Sequence, residues 1–382
     1  MAVVSPQRTA RPPSKARGRG VAAARPRRAG TGLAHPSGIV VLYSALEGTP
    51  ADSVPLADRE TIAVASDVAR VLRENTDYAV QLLPAVSEVD RKLAPFPPRD
   101  WAVFNLFEGL DYRIGSDGIT MDDEAPTALA LETLGYRFTG ADGRALALAL
   151  NKASTKRILH DAGVPTPPWL VFDSVQQVTA EALRDLSFPL IVKPVAEDSS
   201  LAIDDKAVVI NLDELLVRVA LVTGEYHQPA LVEAFIDGRE INAAIWGNPP
   251  ETLPLAEIDL SALGEPTRRI VSYAAKWEER TFEYAHTPAV CPALLPEELA
   301  HNIRATARCA WEQITHCRGY GRVDMRLQGE TAYVLEVNPN PSIATDSGFA
   351  RSARVAGLSF EQMILKILAF ALEDNGVDHP SC

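Results

Sequence analysis

The sequence predicts an α/β protein, built from one lobe with a mainly parallel sheet and further lobes of the α+β kind. Short apolar runs of strand length, 38–43 and 101–107, flank a stretch of helical periodicity at 59–74. Later in the chain, two β-rich runs at 321–327 and 331–338 follow one another with only a short turn between them. Alternating strands and helices favour a parallel sheet, whereas consecutive strands favour antiparallel pairing.

The first half of the chain supplies the remaining elements of the parallel lobe. A further strand is predicted at 78–83, and helices are predicted at 125–134 and 144–150. Residues 151–162 are predicted to form a helix closed by Gly163, because a glycine followed by prolines is typical of a helix end.

The middle of the chain is rich in short strands. We expect strands at 189–194, 207–210 and 230–236, with a helix at 213–222. The pair Asp237-Gly238 separates 230–236 from another β-rich run, 239–246. An Asp-Gly pair between two such runs predicts a hairpin.

The last third of the chain contains a long polar stretch, 261–292, whose weak periodicity predicts a long active-site loop. Helices are predicted at 296–314, 347–356 and 359–373. They surround the antiparallel hairpin of 321–327 and 331–338.

Charge divides the chain into a basic tail and an acidic body. Residues 1–37 hold eight basic residues and no acidic one, although the net charge of the whole chain is -13. The tail lacks an apolar run, so we expect it to be disordered; a transit peptide and a nucleic-acid-binding arm stay open as alternatives. The acidic body argues against a nucleic-acid partner, which would need clustered lysine and arginine.

Targeting and redox signals are sparse. No stretch approaches the ~20 apolar residues of a membrane span, so no membrane partner is expected. The cysteines lack the CxxC spacing of zinc sites, and we expect them to be reduced thiols of a cytoplasmic protein. They are Cys291, Cys309, Cys317 and Cys382.

Polar side chains on the predicted hairpin carry the strongest chemical signal. Arg322 and Asp324 share one face of the first strand, and Glu336 and Asn338 share one face of the second. Antiparallel pairing can bring Asp324, Glu336 and Asn338 together as hard oxygen donors, which suit Mg²⁺. Arg322 beside them could stabilise charge on a phosphate or on a tetrahedral intermediate. A solvated face explains the pattern poorly, because the intervening residues are apolar.

Two lysines give a second signal. Lys193 ends an apolar strand before a loop of small hydroxyl residues, and Lys152 begins a helix; both places favour an anion. Either lysine taken alone is more often simply solvated. The sequence contains no GxxxxGK[ST] motif, which excludes a P-loop.

Two glutamates flank the predicted Asp-Gly turn. Glu233 precedes the turn and Glu240 follows it. A strand edge with free backbone groups could bind adenine, and a carboxylate could hold ribose hydroxyls. An exposed hairpin with charged side chains explains this pattern equally well.

In their order and spacing these pieces resemble the D-alanine:D-alanine ligase branch of the ATP-grasp superfamily, over residues 39–368. Eight motifs carry the resemblance: GYRFTG (135–140), ALALNKASTK (147–156), AGVPTP (162–167), IVKPVAEDSS (191–200), GREIN (238–242), YAAKW (273–277), GRVDMRL (321–327) and YVLEVNPNP (333–341). The resemblance implies an ATP-grasp fold. Its lobes would be an N-terminal α/β substrate-side lobe at 38–150, a central ATP-grasp lobe at 151–236 and a C-terminal ATP-grasp lobe at 237–375.

The resemblance also implies a set of nucleotide and metal contacts. The phosphates of ATP would be bound by Lys152, Lys193 and, from the mobile loop, Lys276. The adenine side and the ribose would be contacted by Glu233, Ala234, Ile236 and Glu240. Mg²⁺ (or Mn²⁺) would be held by Asp324, Glu336 and Asn338, while Arg322 would steady the acyl phosphate and the tetrahedral intermediate.

Further roles implied by the resemblance concern the lid and the substrates. Ser199 matches the serine that ties the central loop to the N-terminal lobe, and Trp277 stands beside Lys276 in the lid. Asp58 stands where the family has a glutamate that holds the amino group of the first substrate. Ser347 matches the residue near the carboxylate of the second substrate.

Departures from the family pattern lie mainly where substrates sit. Glu108 replaces a histidine, Ser342 replaces an oxyanion-hole glycine, and Trp277 replaces a tyrosine. Asp198 and Ala202 stand where the family's phosphate loop has glycines. A Gly-Gly turn after the first strand is also absent.

The resemblance therefore implies an ATP-dependent carboxylate–amine ligase that acts on small amino-acid or peptide-like substrates. Glu108, Asp123 and Glu124 suit a cationic or amino-bearing first substrate, so we expect D-alanine not to be the substrate. A true D-alanine:D-alanine ligase is the alternative, and an ATP-grasp kinase or an ATP-binding regulator is the alternative from another class. Relatives of this branch are often dimers, which implies a homodimer.

Overall fold

Three parallel strands form the first sheet. The computed structural model describes residues 35–45, 56–109, 124–197, 200 and 202–373. Its first elements are β1 (Gly38–Ser44), α1 (Leu56–Asn75), β2 (Ala79–Ala85), α2 (Val89–Leu93), β3 (Trp101–Leu106), α3 (Glu124–Thr133) and α4 (Gly143–Leu150). The strand order is β2-β1-β3, and both pairings are parallel, as predicted.

Burial on both faces explains why β1 is apolar throughout. Ile39 and Val41 lie in one core with the apolar face of α1, whereas Val40 and Leu42 lie in another core with α3 and α4. Helices on both faces leave no side of a parallel sheet exposed to solvent. The alternating side chains of one strand therefore serve two separate cores.

The second sheet is antiparallel. Its elements follow α5 (Lys152–Asp161) and are β4 (Trp169–Phe172), β5 (Leu190–Pro194), β6 (Val208–Val209), α6 (Leu212–Glu225) and β7 (Ala230–Ala234). The strand order is β4-β7-β5-β6. Leu215, Val219 and Val222 of α6 pack on Val192 and Val232 of the sheet.

The third sheet has six strands and carries the predicted hairpin. Its elements are β8 (Arg239–Trp246), β9 (Glu251–Thr252), β10 (Ala256–Ile258), α7 (Tyr273–Trp277), α8 (Phe282–Ala285), β11 (Ala289–Val290), α9 (Glu297–Thr315), β12 (Tyr320–Gln328), β13 (Thr331–Pro339), α10 (Gly348–Val355) and α11 (Phe360–Glu373). The order is β11-β10-β8-β12-β13, with β9 paired to β8. Strands β12 and β13 pair antiparallel, which confirms that hairpin.

The hairpin predicted across Asp237-Gly238 is wrong. Strand β7 pairs with β4 and β5, which occupy both of its edges, so β8 joins a different sheet beside β12. Gly238 lies so close to the carbonyl of Leu327 that an added β-carbon would overlap it. The Asp-Gly pair therefore carries the chain from the second sheet to the third.

The stretch 261–292 was expected to be a long loop, but it contains regular structure. Two single 3₁₀ turns, α7, α8 and the short strand β11 lie within it. Elements of two to five residues are too short to give a hydrophobic period, which is why the sequence pattern did not reveal them.

The three sheets fall within the three expected lobes, whose boundaries at 150/151 and 236/237 stay predictions. Residues 1–34 of the expected disordered tail, and 374–375 of the last lobe, lie outside the described residues. In the described part of the chain, no single helix is long and apolar enough to cross a membrane. Helices α10 and α11 pass that test only as a pair, by length and composition, and they are bent by 103°.

Candidate active site

A β-bulge in the β12–β13 hairpin determines which of its side chains face the core and which face the site. Asp324 pairs with Glu336, but Met325 pairs with Val334, so one residue of β13 is left over. This extra residue resets the alternation of β13. Val334 therefore packs in the core with Met325, while Glu336 stays on the same face as Asp324.

Hydrogen bonds gather the polar side chains around Asp324, as the sequence predicted. Arg322 donates two hydrogen bonds to the carboxylate, at 2.6 and 2.7 Å. Asn338 Nδ2 donates to Asp324 Oδ2 at 2.8 Å and to Glu336 Oε1 at 3.2 Å. Asn242 of β8, which we did not predict, donates to Asp324 Oδ1 at 2.7 Å. Asn242 lies in the GREIN motif, directly across from Asp324.

The surroundings shift the pKa values of Asp324 and Glu336 in opposite directions. Burial raises the pKa of Asp324, although Arg322 lowers it in part. Burial also acts to raise the pKa of Glu336, but Lys152, Lys193 and Arg322 outweigh it and hold that pKa at about 2. Glu336 is therefore ionised at neutral pH.

The two predicted lysines line a narrow cleft opposite the hairpin. Lys152 Nζ lies 4.0 Å from Glu336 Oε2 and donates to the carbonyl of Glu197. Lys152 and Lys193 are both buried, and the cleft is completed by Glu197, Ser200 and Glu336. Lysines from α5 and β5 thus meet an acid from β13.

Glu233 is held by two lysines. Its carboxylate oxygens lie 2.6 Å from Lys193 Nζ and 2.5 Å from Lys156 Nζ. Glu233 and Lys156 are both buried, at 1 and 0% exposure. Lys156 was not predicted. It lies four residues after Lys152 and therefore on the same helix face, which is the one signal that could have revealed it.

Other residues expected near the nucleotide lie along the start of β8 and the end of β7. Glu240 is buried and paired with Arg326, 2.9 Å from its guanidinium, and burial raises the pKa of this carboxyl. The backbone N–H of Ala234 donates to Pro168 O at 2.9 Å. Ile236 is buried just beyond the strand.

The short helix α7, which carries Lys276 and Trp277, lies beside the loop that follows β5. Ser272 caps the helix by accepting from the N–H of Ala275. The segment is fastened to the loop after β5, because Tyr273 N–H donates to Ile203 O at 2.9 Å and Ser200 Oγ donates to Val271 O at 3.0 Å. The positive charge of Lys276 opposes in part the rise that burial causes in the pKa of Asp324. Ser199 and Asp198 lie outside the described residues.

The substrate-side predictions fall on several elements. Ser342 Oγ donates to Glu60 Oε1 at 2.5 Å, and Ser347 caps α10 by accepting from Ala350 N–H. Glu108 accepts a hydrogen bond from the hydroxyl of Thr61 at 3.5 Å, and its backbone N–H donates to Ser44 Oγ at 2.9 Å. The side chain of Asp58 lies outside the described ones, as does Asp123.

Two residues beside the expected substrate contacts were not predicted. Glu60 follows the expected Asp58 by two positions, and it contacts Ser342. Asn340 donates to Glu124 at 2.8 Å and accepts from Ala141 N–H at 2.9 Å, which ties the end of β13 to the first lobe. These contacts join residues far apart in sequence, so no local sequence pattern could predict them.

Among the residues that the structure describes, no three His, Cys, Asp or Glu side chains form a metal-binding group. The hairpin set contains two carboxylates and an amide, a mixed set of oxygen ligands that suits a hard cation rather than zinc.

The fold matches that of ATP-grasp D-alanine–D-alanine ligases. A solved D-alanine–D-alanine ligase from Bacillus anthracis, complexed with ATP, matches the structure with a TM-score of 0.65 at 21% sequence identity. The match covers 89% of this chain and 98% of that one. The expected fold is thereby confirmed.

Sequence comparisons give the family. The family model described as D-ala D-ala ligase C-terminus matches residues 158–369, more than half of the chain. A D-alanine–D-alanine ligase from Pelotomaculum thermopropionicum is 31% identical over 280 residues, which cover 71% of this chain and 81% of the relative. An uncharacterized protein, y4sG, from Sinorhizobium fredii is 33% identical over 273 residues, covering 70% and 74%.

The chain belongs to the D-alanine–D-alanine ligase family, which confirms the resemblance found in its motifs. It is an ATP-dependent, ADP-forming carboxylate–amine ligase, an enzyme that makes C–N bonds.

Proposed function

We propose that the chain activates the carboxylate of one amino-acid-like substrate with ATP and joins it to the amine of a second. One observation supports this assignment of the site: the cluster of Asp324, Glu336 and Asn338 faces two buried lysines across a narrow cleft. Phosphates need cationic partners such as Lys152 and Lys193, whereas the divalent cation that accompanies ATP needs hard oxygen ligands.

In this proposal, Asp324, Glu336 and Asn338 hold Mg²⁺ or Mn²⁺. Two carboxylates and an amide fit such a cation by their chemistry. Asn338 has its amide nitrogen within hydrogen-bond distance of both acids, and a half-turn of the same amide presents its oxygen as a ligand. When bound, the cation offsets negative charge on the transferring phosphate.

The lysines and the end of β7 bind the nucleotide in this proposal. Lys152 and Lys193 contact the phosphates, and Lys276 approaches the γ-phosphate from α7. The adenine is contacted by the backbone of the segment from Glu233 through Ala234 to Ile236, since the Glu233 carboxylate is already paired with two lysines. Glu240 contacts the ribose.

The reaction then proceeds in two steps. A carboxylate oxygen of the donor attacks the γ-phosphorus of ATP, the bond to ADP breaks, and an acyl phosphate forms. The amine nitrogen attacks the acyl carbon, loses a proton, and expels inorganic phosphate. Arg322 and the backbone N–H of Ser342 stabilise the oxyanion, because fixed donors at developing charge lower the barrier. Ser199, Lys276 and Trp277 close the site against water.

The substrate-side residues suggest that D-alanine is not the substrate. Asp58 holds the donor's amino group, and Ser347 lies near the carboxylate of the acceptor. Glu60 and Glu108 add two further carboxylates on this side, and Ser342, which replaces a glycine, contacts Glu60. Such a negative surface favours a cationic or amino-bearing first substrate.

A substrate panel tests this proposal. ADP release from Mg²⁺-ATP should be measured with L- and D-amino acids, singly and in pairs, and the products identified by mass spectrometry. We expect an amide from a pair whose donor carries a cationic side chain, and little turnover with D-alanine alone. Efficient formation of D-alanyl-D-alanine would contradict the substrate proposal, and a phosphorylated hydroxyl without an amide would contradict the ligase.

A further inference from the structure

One lysine, Lys156, contacts Glu233 but does not line the cleft. Lys156 is completely buried, whereas Lys152 and Lys193 border the cleft. A buried ammonium group is costly unless it is paired and hydrogen-bonded. The contacts of Lys156 therefore need a reason beyond packing.

Three acceptors surround the ammonium group of Lys156. Glu233 Oε2 lies at 2.5 Å, Thr166 Oγ1 at 2.8 Å and the carbonyl of Pro167 at 3.4 Å. Thr166 and Pro167 accept hydrogen bonds from the ammonium group, and Glu233 forms an ion pair with it. Burial lowers the pKa of Lys156 to about 8, although Glu233 raises it in part.

Glu233 connects Lys156 to the cleft. One of its oxygens meets Lys156 and the other meets Lys193, so the three side chains together carry one positive charge. Burial acts to raise the pKa of Glu233, but the two ammonium groups outweigh it and lower that pKa. Without Lys156, the pair of Glu233 and Lys193 would be neutral as a unit. The cleft would then lose the positive charge that Lys193 presents.

The same lysine also joins the second and third sheets. Thr166 Oγ1, which receives a hydrogen bond from Lys156, donates to Val334 O of β13 at 2.9 Å. On either side of it, Val334 N–H donates to Pro165 O, and Ala234 N–H of β7 donates to Pro168 O. The segment 165–168 thus connects the strand of Glu336 to the strand of Glu233, and Lys156 is bound to its centre.

We propose that Lys156 is a positioning residue for ATP. By binding Glu233, Lys156 offsets the charge of that carboxylate, so that the positive charge of Lys193 remains available to the phosphates and Lys193 stays in position. The proposal rests on the proposed role of Lys193 in phosphate binding. It assigns Lys156 no contact with the nucleotide. Its effect reaches the phosphates only through Glu233.

Titration calorimetry with Mg²⁺-ATP and with adenosine tests this. Lys156→Met removes the charge with little change in volume, and we expect the Kd for ATP to rise about tenfold. The Kd for adenosine, which has no phosphates, should stay within about twofold. In Lys156→Met/Glu233→Gln the uncompensated carboxylate is gone as well, so the Kd for ATP should return to within about threefold of the unmodified chain.

The rescue separates the proposal from a purely structural role. Equal weakening of ATP and adenosine binding, unchanged ATP binding in Lys156→Met, or no recovery in the double variant would each overturn it. If Lys156→Met alone does not fold, Glu233→Gln and the double variant carry the test. Their Kd values for ATP should agree within about threefold, and a tenfold loss in the double variant would refute the proposal.

Lys193→Met distinguishes this proposal from the function on which it rests. We expect this variant to bind ATP at least as weakly as Lys156→Met does, and to bind adenosine normally. If Lys193→Met weakens ATP binding and Lys156→Met does not, only the role of Lys156 is wrong. If neither variant weakens it, the proposed phosphate site is wrong and the role of Lys156 fails with it.

Discussion

At residue 202 an alanine adopts a backbone conformation that normally belongs to glycine. Its φ is +61°, in the left-handed region, where a β-carbon costs roughly 1–2 kcal/mol. Arg218, which is buried, donates to the carbonyl of Ala202 and to Asp204 Oδ2 at 3.0 Å. The arginine therefore holds this turn in place within the loop that follows Lys193 and β5.

Replacing Ala202 with glycine should stabilise the protein. The folded state loses its strain, and this gain exceeds the roughly 0.4–1 kcal/mol by which glycine favours the unfolded chain. We expect the free energy of unfolding, measured in urea, to rise by about 0.5 kcal/mol. Ala196→Gly is the matched control: this loop alanine is not among the positive-φ residues, so the substitution should destabilise. A loss of stability in both variants would contradict the assigned strain.

The sequence predicted some residues of the site and not others. Asp324 and Glu336 were predictable because acids between apolar strand residues need a reason. Lys156 was not, since a lysine that will be buried has the same local pattern as a lysine in solvent. Asn242 and Glu60 act through partners far along the chain, which no local period encodes.

At the scale of elements, the β12–β13 hairpin depends on close packing against α9. Gly321 of β12 faces the ring of Trp311 and the carbonyl of Asn338, and an added β-carbon would overlap the ring. Its φ lies outside the left-handed region, so the constraint is space rather than backbone strain. The glycine thereby allows α9 to approach beneath the proposed metal ligands.

Gly321→Ala should destabilise the protein and weaken Mg²⁺-ATP binding together. Overpacking of a core costs typically 1–3 kcal/mol, and we expect a loss of about that size in denaturant unfolding. The displaced strand carries Arg322 and Asp324, so the Kd for Mg²⁺-ATP should rise as well. Gly224→Ala is the control, because nothing lies near a β-carbon in that helix and alanine should stabilise it by about 0.5–1 kcal/mol. Normal nucleotide binding by a destabilised Gly321→Ala would show that the strand's position does not matter.

The sequence predicted the strands and helices that follow long apolar or periodic runs. It failed where strand pairing depends on residues elsewhere in the chain. The parallel strands, α9 and the β12–β13 hairpin follow runs of six residues or more. The supposed hairpin of β7 and β8 failed because both edges of β7 were taken by strands from elsewhere in the chain. Pairing partners of this kind are a property of the fold, not of the turn.

At the scale of the molecule, the first and third sheets share a core. Ile39 and the apolar face of α1 lie in one cluster with Trp246, Phe349 and residues of α11. The second sheet has its own core with α6. The first and third sheets are therefore not independent in their packing, whereas the second sheet has a separate core.

Hydrogen exchange can test this division. Trp246 is fully buried and meets Phe349 and Phe370 edge-on, at 5.6 and 5.8 Å between ring centroids. Trp246→Ala should cost about 3–5 kcal/mol and lower protection in β1 and β8 together. Val192→Ala, in the core of the second sheet, should lower protection in β5 and β7 and leave β1 unchanged. Protection lost in β8 but kept in β1 after Trp246→Ala would contradict a shared core.

Amide formation through an acyl phosphate can be followed with an oxygen isotope label. When the donor's carboxylate is labelled with oxygen-18, the first step transfers one labelled oxygen to phosphorus, and the second releases it in inorganic phosphate. We predict labelled phosphate, ADP and amide in equal amounts, and none of the three with Glu336→Gln. Unlabelled phosphate together with an amide, or ADP without any amide from every substrate pair, would contradict the proposed ligase.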